Sequence, residues 1–349
     1  MFNRKRKLLL IGGTGTISTA ITRLIAKSEE WDVYLLNRGL RKVKIPENVK
    51  VIKCDISNEE EAAKILDGMT FDCVGEFIGF KPEQVERDIR LFAGRTKQYI
   101  YISSAAAYHT PPSRPFMTEG MMLKNNGWGY AIDKIKCEEV LTKAFREIDF
   151  PVTIVRPAHT YCEKMIPFCL ESPKGSWPVI KRMIEGKPII MPGDGSSLWA
   201  ITFNEDFAKG YVGLIGNDHA IGETVHIMSD EVLSWDQMAQ AVADALGVEY
   251  KPYYIPTDVI AALAPEMSEG LNGDKRHSVI YDISKIKKLS PGFCPNITWR
   301  TGVQRALAVI MEDPSLRQED PEFDQWCDTM IEIYDQALEI AKQKCVFPK

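Results

Sequence analysis

A run of aliphatic residues that ends in closely spaced glycines constrains the fold of this chain more than any other feature. Residues 8–11 are Leu-Leu-Leu-Ile, Gly12 and Gly15 frame the turn that follows, and residues 19–27 have the spacing of an amphipathic helix. This order is typical of a buried parallel strand that turns into a helix, whose free N–H groups and dipole attract a phosphate. Ser18 stands where a third glycine would ease packing. The stretch predicts nucleotide binding, although glycine-rich turns also occur without a ligand.

The composition argues against several other classes of protein. The chain has 349 residues, of which 45% are hydrophobic and 26% charged, and a formal net charge of -5. These values are ordinary for a globular protein and give no reason to expect nucleic acid or a membrane as partner. The basic residues 4–7 precede only four aliphatic residues, and no run reaches the roughly 18 apolar residues of a membrane helix. The eight cysteines form no C-x-x-C pair or zinc spacing, so we expect reduced thiols, a cytoplasmic location and no metal site.

Strand-like and helix-like patterns alternate through the first half of the chain. One of the helix-like segments that separate the strands is predicted over residues 83–92. Strands separated by helices indicate βα units and a parallel sheet rather than a sandwich. After the first aliphatic run, the predicted strands and their terminal turns are residues 32–39, 49–55, 71–77 and 98–103.

The turn after the second predicted strand bears on the choice of cofactor, because such a turn contacts the adenosine ribose in folds of this kind. An acidic residue there would bind the ribose hydroxyls, but this chain has Asn37 and Arg38, with Arg41 and Lys42 close behind. Arginine offers a bidentate fork to a phosphate. The turn favours NADP over NAD, and a solvated turn is the alternative. Asp55, after the third strand, could reach an adenine edge or cap the next helix.

The second half of the chain continues the alternation and then loosens. A helix is predicted over residues 130–145 and a sixth strand over residues 151–157. A later helix near residues 205–215 and a strand over residues 224–228 indicate a segment that returns to the main sheet. The further helices are predicted near residues 179–185, 236–246, 303–311 and 321–342.

Two polar side chains on the predicted helix over residues 130–145 point to chemistry. Tyr130 and Lys134 lie four residues apart and project from one helical face, and Ser104 ends a strand at the sheet edge of the glycine turn. Bringing a tyrosine pKa close to neutral requires roughly 4 kcal/mol. An ammonium about 5 Å away supplies roughly 3 kcal/mol at an effective dielectric constant near 20. The pair suits proton transfer beside a hydride carrier, although Y-x-x-x-K also occurs by chance.

Four motifs stand in a fixed order along the chain: G-G-T-G-T-I-S at residues 12–18, S-S-A-A-A-Y at 103–108, Y-A-I-D-K at 130–134 and R-P-A-H-T-Y at 156–161. Together they resemble the extended short-chain dehydrogenase/reductase superfamily, and their spacing resembles its NAD(P)-dependent epimerase/dehydratase branch. The resemblance implies an α/β fold in which a Rossmann domain with a doubly wound parallel sheet precedes a smaller C-terminal α/β substrate domain. We expect the Rossmann domain over residues 1–160, with a return segment near 201–230, and the substrate domain mainly over residues 161–349.

The same resemblance implies a catalytic trio. Tyr130 would be the acid/base on a substrate hydroxyl, and Lys134 would bind the nicotinamide ribose and lower the tyrosine pKa. Ser104 would hydrogen-bond the reacting oxygen. We choose Ser104 over Ser103 because the active hydroxyl of this family lies four residues before the tyrosine of S-x-x-x-Y, here Tyr108.

The resemblance also implies which residues contact the ligands. For the substrate, the resemblance implies Ser104. The positions and chemistry of His159, Trp199 and His277 make them further candidates, each with a structural alternative: a hydrogen-bonded core histidine, a core tryptophan and a surface turn. His277 follows a glycine-rich stretch that we expect to be a loop able to close over the crevice. The residues expected to contact NADP or NAD are Gly12, Gly15, Thr16, Ile17, Asn37, Arg38, Asp55, Ile56, Ile78, Tyr130, Lys134 and Pro157.

Some residues depart from the family pattern. Sugar-nucleotide dehydratases have an Asp-Glu pair after the active hydroxyl, whereas this chain has Ala105 and Ala106, which makes dehydration unlikely. Nucleotide-sugar enzymes usually place an arginine after G-D-G to clamp a diphosphate, but here residues 193–195 precede Ser196. The turn after the second strand is more similar to an atypical subgroup that includes chloroplast proteins reported as RNA-binding. The acidic balance of this chain offers no basic surface for RNA.

The resulting hypothesis is an oxidoreductase or epimerase that acts on a hydroxyl or carbonyl carbon of a sugar or nucleotide-sugar-like substrate. Hydride would pass between that carbon and a nicotinamide while Tyr130 moves the proton. The competing hypothesis is a non-catalytic, NADP-sensing or scaffold protein of the same fold. A homodimer is implied by the resemblance, since relatives pair through the helix that carries the tyrosine.

Overall fold

The chain forms two compact units, seen in a computed structural model that describes residues 4–41 and 43–345. The described residues up to 162, together with 200–232 and 277–298, make up the first unit. Residues 163–199, 233–276 and those from 299 onward make up the second. The segment 277–298, which we had assigned to the C-terminal domain, therefore belongs to the first unit. Lys42, considered above as a phosphate ligand, lies outside the described residues.

The strands are short, apart from the two at the start of the chain. They are β1 (Arg6–Ile11), β2 (Trp31–Asn37), β3 (Lys50–Lys53), β4 (Cys73–Glu76), β5 (Tyr99–Ile102), β6 (Phe116–Met117), β7 (Val152–Arg156), β8 (His159–Tyr161), β9 (Ile189–Pro192), β10 (Leu198–Trp199), β11 (Ile201–Phe203), β12 (Thr224–His226), β13 (Leu233–Ser234), β14 (Pro252–Ile255) and β15 (Ile280–Tyr281).

Most helices lie close to their predicted positions, whereas the short helices α8, α9 and α10 were not predicted. They are α1 (Ser18–Ile25), α2 (Glu59–Ile65), α3 (Pro82–Phe92), α4 (Gly129–Ile148), α5 (Trp177–Ile184), α6 (Asn204–Leu214), α7 (Trp235–Leu246), α8 (Thr257–Leu263), α9 (Pro265–Gly270), α10 (Ser284–Leu289), α11 (Trp299–Glu312) and α12 (Pro321–Lys344).

Within the described residues, seven strands of the first unit form one parallel sheet in the order β12-β7-β5-β4-β1-β2-β3. The chain leaves β1 toward β2 and β3, and then crosses back to β4 and continues toward β12. The order therefore reverses between β1 and β4, which is where a doubly wound sheet opens a crevice at the carboxyl ends of its strands. The expected Rossmann fold class is confirmed.

The core of the first unit explains why its strands read as continuous apolar runs. Residues 8–11 of β1 are fully buried, and all four residues of β5 are buried as well. A strand with helices on both faces has no solvated side, so its side chains do not alternate between apolar and polar. Leu9, Val74, Tyr101 and Leu141 belong to one apolar cluster that joins β1, β4 and β5 to α4.

The second unit is built from helices and two strand pairs. β9 pairs with β14 in parallel, and β10 pairs with β13 antiparallel. α7 begins at a capping box in which the Ser234 hydroxyl accepts from Gln237 N, and it ends at Gly247 in the left-handed conformation. The buried Trp299 of α11 donates its indole N–H to Met238 O at 3.0 Å, which ties α11 to α7. Among residues 4–41 and 43–345, no helix has the length and hydropathy to cross a bilayer.

One expected loop is helical. α9 and a π-helical turn over Leu271–Lys275 replace the glycine-rich loop predicted before His277. The indole N–H of Trp235 donates to Lys275 O at 3.1 Å, and Lys275 Nζ donates to Phe168 O at 3.0 Å. The prediction of a free loop was wrong because these contacts within the second unit satisfy the backbone and hold the turn in place.

Candidate active site

A cavity of about 660 Å³ opens in the first unit at the carboxyl ends of the parallel strands. Its volume lies within the usual range for small-molecule sites. It brings together turns that are far apart in sequence, because each follows a strand of the same sheet. Ser104 lines it, and so do all the residues predicted to contact a dinucleotide: Gly12, Gly15, Thr16, Ile17, Asn37, Arg38, Asp55, Ile56, Ile78, Tyr130, Lys134 and Pro157.

The glycine turn after β1 is built for close approach. Gly12 has φ +79°, and a Cβ placed there would lie 2.5 Å from Cγ2 of Ile78. Ser18, in the place of a third glycine, accepts a hydrogen bond from Gly15 N at 2.8 Å and donates one to Gly12 O at 2.7 Å. The serine therefore closes the turn through its hydroxyl, which is a role that small size alone does not suggest.

The turn leads directly into the N-terminus of α1, where the first backbone N–H groups have no intrahelical acceptor. Thr16 and Ile17 precede this terminus and line the cavity. Asn204, the first residue of α6, donates from Nδ2 to Thr16 O at 2.9 Å. The side chain of Asn204 thereby holds a part of the turn that Ser18 does not contact. The arrangement suits an anion at the helix terminus.

At the other end of the cavity, the turn after β2 offers donors instead of a carboxylate. Asn37 Oδ1 accepts from Gly39 N at 2.9 Å, and within the described residues its buried Nδ2 has no hydrogen-bond partner. The Arg38 guanidinium lies 3.8 Å from Asp55 and is 63% exposed. Arg41 contacts Thr14 O at 3.4 Å. A ligand with acceptor oxygens would satisfy the orphaned amide.

Asp55 is held in its charged form by its own turn. Ser57 donates to Asp55 Oδ1 from its hydroxyl at 2.8 Å and from its backbone N at 3.0 Å. These hydrogen bonds lower the pKa of the Asp55 carboxyl, with Arg38 adding a smaller effect. The cap of α2 is Asn58, whose side chain accepts from Glu61 N. Asp55 is therefore left to line the cavity instead of capping the helix.

Tyr130 and Lys134 occupy the first turns of α4, as their spacing predicted. The Lys134 ammonium lies 5.9 Å from the centroid of the Tyr130 ring. It is 2% exposed, and burial lowers the pKa of Lys134 from 10.5 to about 8. Tyr130 packs against Trp128, with the ring centroids 5.1 Å apart. Lys134 is thus a buried cation that lies close to the aromatic ring of Tyr130.

The two serines after β5 have different surroundings. Ser103 is 1% exposed and donates its hydroxyl hydrogen to Glu138. Glu138 in turn forms a bidentate ion pair with Arg156, with contacts of 2.9 and 2.6 Å. Ser104 is less buried, and its hydroxyl oxygen accepts from Ala106 N at 3.2 Å. The choice of Ser104 as the active hydroxyl stays a prediction, and the engagement of Ser103 in the core supports it.

The remaining substrate candidates do not line the cavity. His159 begins β8, where it pairs with Ile201. Trp199 is 4% exposed in the second unit, with its ring 5.1 Å from that of Trp235. His277 lies in the first unit, just before β15. Their contact with a substrate stays a prediction.

Three aromatic residues that follow β4 or lie in β5 were missed by the sequence analysis. Phe77 and Phe80 follow β4 and line the cavity, and Tyr101 is buried in β5. Of residues 77–80, the sequence analysis singled out only Ile78. The signal for Tyr101 was a tyrosine inside an otherwise apolar strand, because a buried phenol requires a hydrogen-bond partner.

Comparison with known proteins now adds to this geometry. The model of the NAD dependent epimerase/dehydratase family matches residues 8–227, which is more than half of the chain. The chain belongs to this family. The match runs from within β1 to the end of β12 and so contains all of the seven-stranded sheet except Arg6 and Lys7, together with the cavity.

Relatives of the family are distant in sequence. The chain is 23% identical to 2'-dehydrokanamycin reductase of Streptomyces kanamyceticus over 287 residues, covering 82% of this chain and 80% of that protein. It is 25% identical to the chloroplast stem-loop binding protein of 41 kDa b of Arabidopsis thaliana, covering 71% and 67%. A crystal structure of UDP-glucuronic acid 4-epimerase from Bacillus cereus with UDP-glucuronic acid and NAD superposes with a TM-score of 0.69 at 17% identity, covering 88% and 99%. This last likeness establishes the fold.

The cavity fits the dinucleotide that the family name implies. The orphaned Asn37 amide and the helix terminus after Gly15 are two separate features that a ribose and a pyrophosphate would satisfy, and the Gly12 turn, which has no room for a Cβ beside Ile78, also lines the cavity. The residues that would hold the group are those that line the cavity. The family and its fold support an enzyme of the epimerase and oxidoreductase type.

Proposed function

We propose that the protein is an NAD(P)-dependent oxidoreductase or epimerase acting on a hydroxyl or carbonyl carbon of a sugar or nucleotide-sugar-like substrate. Tyr130, Lys134 and Ser104 are its proposed catalytic residues. The observation that carries the proposal is that these three side chains line the same cavity as the glycine turn and the basic turn after β2. A phosphate-binding end and a proton-transfer end then share one site.

The chain's own residues supply the proton chemistry. When bound, the nicotinamide group supplies a hydride donor or acceptor. The Tyr130 hydroxyl gives a proton to, or takes one from, the substrate oxygen, and the Lys134 ammonium stabilises the phenolate form. The Ser104 hydroxyl donates a hydrogen bond to the same substrate oxygen. Because burial brings the pKa of Lys134 to about 8, its charge is retained at neutral pH.

For the cofactor, we propose a preference for NADP over NAD. The turn after β2 holds no carboxylate to repel a 2′-phosphate, and Arg38 and Arg41 both line this end of the cavity. The Arg38 side chain is mostly exposed and lies 3.8 Å from Asp55, so it can turn toward a phosphate with little loss. We expect Arg38→Ala to weaken NADPH binding about tenfold, as for one charge-assisted contact, and to leave NADH binding within twofold. Equal losses for both nucleotides would refute this preference.

For the substrate, we propose a carbohydrate-derived small molecule. One relative is named for a reduction of a kanamycin derivative, and the B. cereus epimerase binds UDP-glucuronic acid. Ala105 and Ala106 follow Ser104 and carry no acid or base for removing water, so we infer that dehydration is not the reaction. The absence of an arginine directly after residues 193–195 weakens the case for a nucleotide diphosphate.

The experiment begins with the protein as purified. Denaturation and identification of any released nicotinamide nucleotide test the cofactor, and thermal shifts with sugars, aminoglycosides and nucleotide sugars identify substrates, because a ligand of the native state raises Tm. Turnover is then measured for Tyr130→Phe. We expect a loss of at least a hundredfold with nucleotide binding retained, and Tyr254→Phe, in the second unit, is the matched control.

A non-catalytic NADP sensor or scaffold is the alternative function. It predicts that Tyr130→Phe keeps both its ligand and its biological effect, whereas an enzyme loses its effect with its turnover. We also propose a cytoplasmic homodimer that does not bind nucleic acid, in keeping with the net charge of -5. Light scattering tests the dimer, and a stem-loop RNA titration at physiological salt tests the lack of RNA binding.

A further inference from the structure

The ammonium of Lys134 is fully engaged by protein acceptors. Nζ donates to Ile102 O at 2.7 Å, to Gly79 O at 2.9 Å and to the Tyr101 hydroxyl at 3.2 Å. An ammonium has three donors, so all of them are used. A ribose hydroxyl can therefore bind Lys134 only by replacing one of these acceptors.

The three acceptors are not equivalent. Ile102 O belongs to the last residue of β5, and Gly79 O belongs to the segment that follows β4. Both acceptors are backbone carbonyls. The Tyr101 hydroxyl makes the longest of the three bonds, and it also donates its own hydrogen to Gly79 O at 2.9 Å. That donation orients an oxygen lone pair of Tyr101 toward Lys134. The Tyr101 hydroxyl also keeps its hydrogen bond to Gly79 O when the lysine moves away.

Aromatic rings enclose the ammonium on its other sides. Lys134 Nζ lies 4.8 Å from the Tyr101 ring centroid, 4.9 Å from that of Phe80 and 5.9 Å from that of Tyr130. Such contacts favour the charged form of a desolvated lysine. The ionisable groups that act on the charge of Lys134 are Cys137, Glu76 and Glu138. Tyr101 thus contributes both a ring face and a hydroxyl to the lysine.

We propose that Tyr101 is a positioning residue for Lys134: its hydroxyl holds the ammonium beside Tyr130 and is the acceptor that the lysine releases when a ribose hydroxyl takes its place. The catalytic meaning of this contact rests on the proposed function. The contact itself does not, because it is made by buried groups of the chain alone. The bonds to Ile102 O and Gly79 O are shorter, at 2.7 and 2.9 Å, than the 3.2 Å bond to the Tyr101 hydroxyl, so the Tyr101 contact is the weakest of the three and the one we expect to be given up.

The chain offers a matched control in the same strand. Tyr99 lies two residues before Tyr101, both side chains are fully buried, and the Tyr99 hydroxyl donates to Asp88 at 2.7 Å. Tyr101→Phe and Tyr99→Phe each remove one buried hydroxyl from β5. Only Tyr101→Phe takes an acceptor away from Lys134. An effect that follows from losing any buried hydroxyl should appear in both variants. An effect seen only in Tyr101→Phe is due to the lost contact with Lys134.

The first measurement uses the protein without added nucleotide. The protein is labelled with ¹³C-lysine, and the chemical shift of the Lys134 Cε is measured as a function of pH. The Lys134 resonance is assigned as the one that is absent from the spectrum of Lys134→Met. A hydrogen bond to a charged group is worth about 1.5–3 kcal/mol, or roughly one to two pH units. We expect the titration midpoint of Lys134 to fall by about one unit in Tyr101→Phe and to stay unchanged in Tyr99→Phe. Equal midpoints in the two variants would overturn the proposal.

The second measurement separates this inference from the proposed function. NADPH affinity is measured for both variants at pH 6.5 and 8.5, and we expect Tyr101→Phe alone to show a loss that grows at the higher pH. A protein that binds no dinucleotide at all refutes the proposed function, while the Lys134 titration still decides whether Tyr101 holds the lysine. Should Tyr101→Phe not fold, ¹⁹F NMR of 3-fluorotyrosine in the unsubstituted chain replaces it. A Tyr101 signal that does not move on saturation with NADPH then contradicts the release of the lysine.

Discussion

The Ser18 hydroxyl donates a 2.7 Å hydrogen bond to Gly12 O, six residues earlier in the chain. The Ser18 hydroxyl oxygen also accepts a hydrogen bond from Gly15 N at 2.8 Å, so one side chain joins both ends of the glycine turn. A third glycine in this place would allow the same approach of helix to strand but make neither bond. The turn of this chain is therefore held by hydrogen bonding and not by small size alone.

Removing this hydroxyl is expected to loosen the turn. Ser18→Ala leaves Gly15 N and Gly12 O without their partner, at a cost of about 2 kcal/mol in the free energy of unfolding. Ser18→Gly, which completes the usual glycine pattern, should cost at least as much and weaken NADPH binding as well. Urea unfolding and nucleotide titration measure both effects. Ser28→Ala, on the exposed end of the same segment, serves as the control and should change stability by less than about 0.5 kcal/mol.

A methyl group at Gly12 is expected to be far more harmful than one at Gly94. Both glycines have positive φ, +79° and +70°, so an alanine at either position costs about 1 kcal/mol of backbone strain. A Cβ at Gly94 meets nothing within 4 Å, whereas at Gly12 it lies 2.5 Å from Ile78. Overpacking adds to the strain, for a total near 3 kcal/mol in Gly12→Ala. Similar unfolding free energies for the two variants would show that Ile78 yields without cost.

Two bidentate Arg–Glu pairs of the first unit differ in burial and in their further contacts, since Arg156 also donates to the Tyr108 hydroxyl and to Glu119 O. The side chains of Arg156 and Glu138 are 6% and 5% exposed, and those of Arg90 and Glu59 are 56% and 38% exposed. Arg156→Met leaves Glu138 as a buried, unpaired charge, and we expect a loss of about 3–5 kcal/mol. Arg90→Met should cost less than about 1 kcal/mol. Urea unfolding compares the two, and equal losses would mean that water reaches Glu138.

Lys134 predicts a pH dependence of stability with a definite sign. Its pKa falls from 10.5 in the unfolded chain to about 8 on folding, because burial disfavours the charge. The cost of burying the charged form is fully present below pH 8 and disappears as the pH rises to 10.5. The free energy of unfolding of the unsubstituted chain should therefore rise relative to that of Lys134→Met by about 3 kcal/mol between pH 7 and 10.5. The exposed Lys143→Met should show no such shift in urea unfolding at the two pH values.

Local patterns were enough to predict the strands β1 to β5 and the turns that line the cavity, but not that residues 277–298 belong to the first unit. The apolar runs and helical spacings identified β1 to β5 and α4 within a few residues, because the period of buried side chains follows directly from strand and helix geometry. The cavity residues could be predicted because parallel strands bring their carboxyl ends to one edge. Tyr130 and Lys134 were predicted from their helical spacing of four together with the glycine turn and the order of the other motifs, because Y-x-x-x-K alone also occurs by chance.

The sequence by itself thus determined the buried strands, the helices between them and the glycine turn, since these depend on neighbours within a few positions, and the resemblance of its four motifs to a known family implied the doubly wound sheet. Only the tertiary structure decided which partners the polar groups find. The acceptors of Lys134 come from Gly79, Tyr101 and Ile102, and residues 277–298 join the first unit across a long stretch of chain. Hydrogen-bond partners of buried groups are set by packing between distant segments, and no local period records that packing.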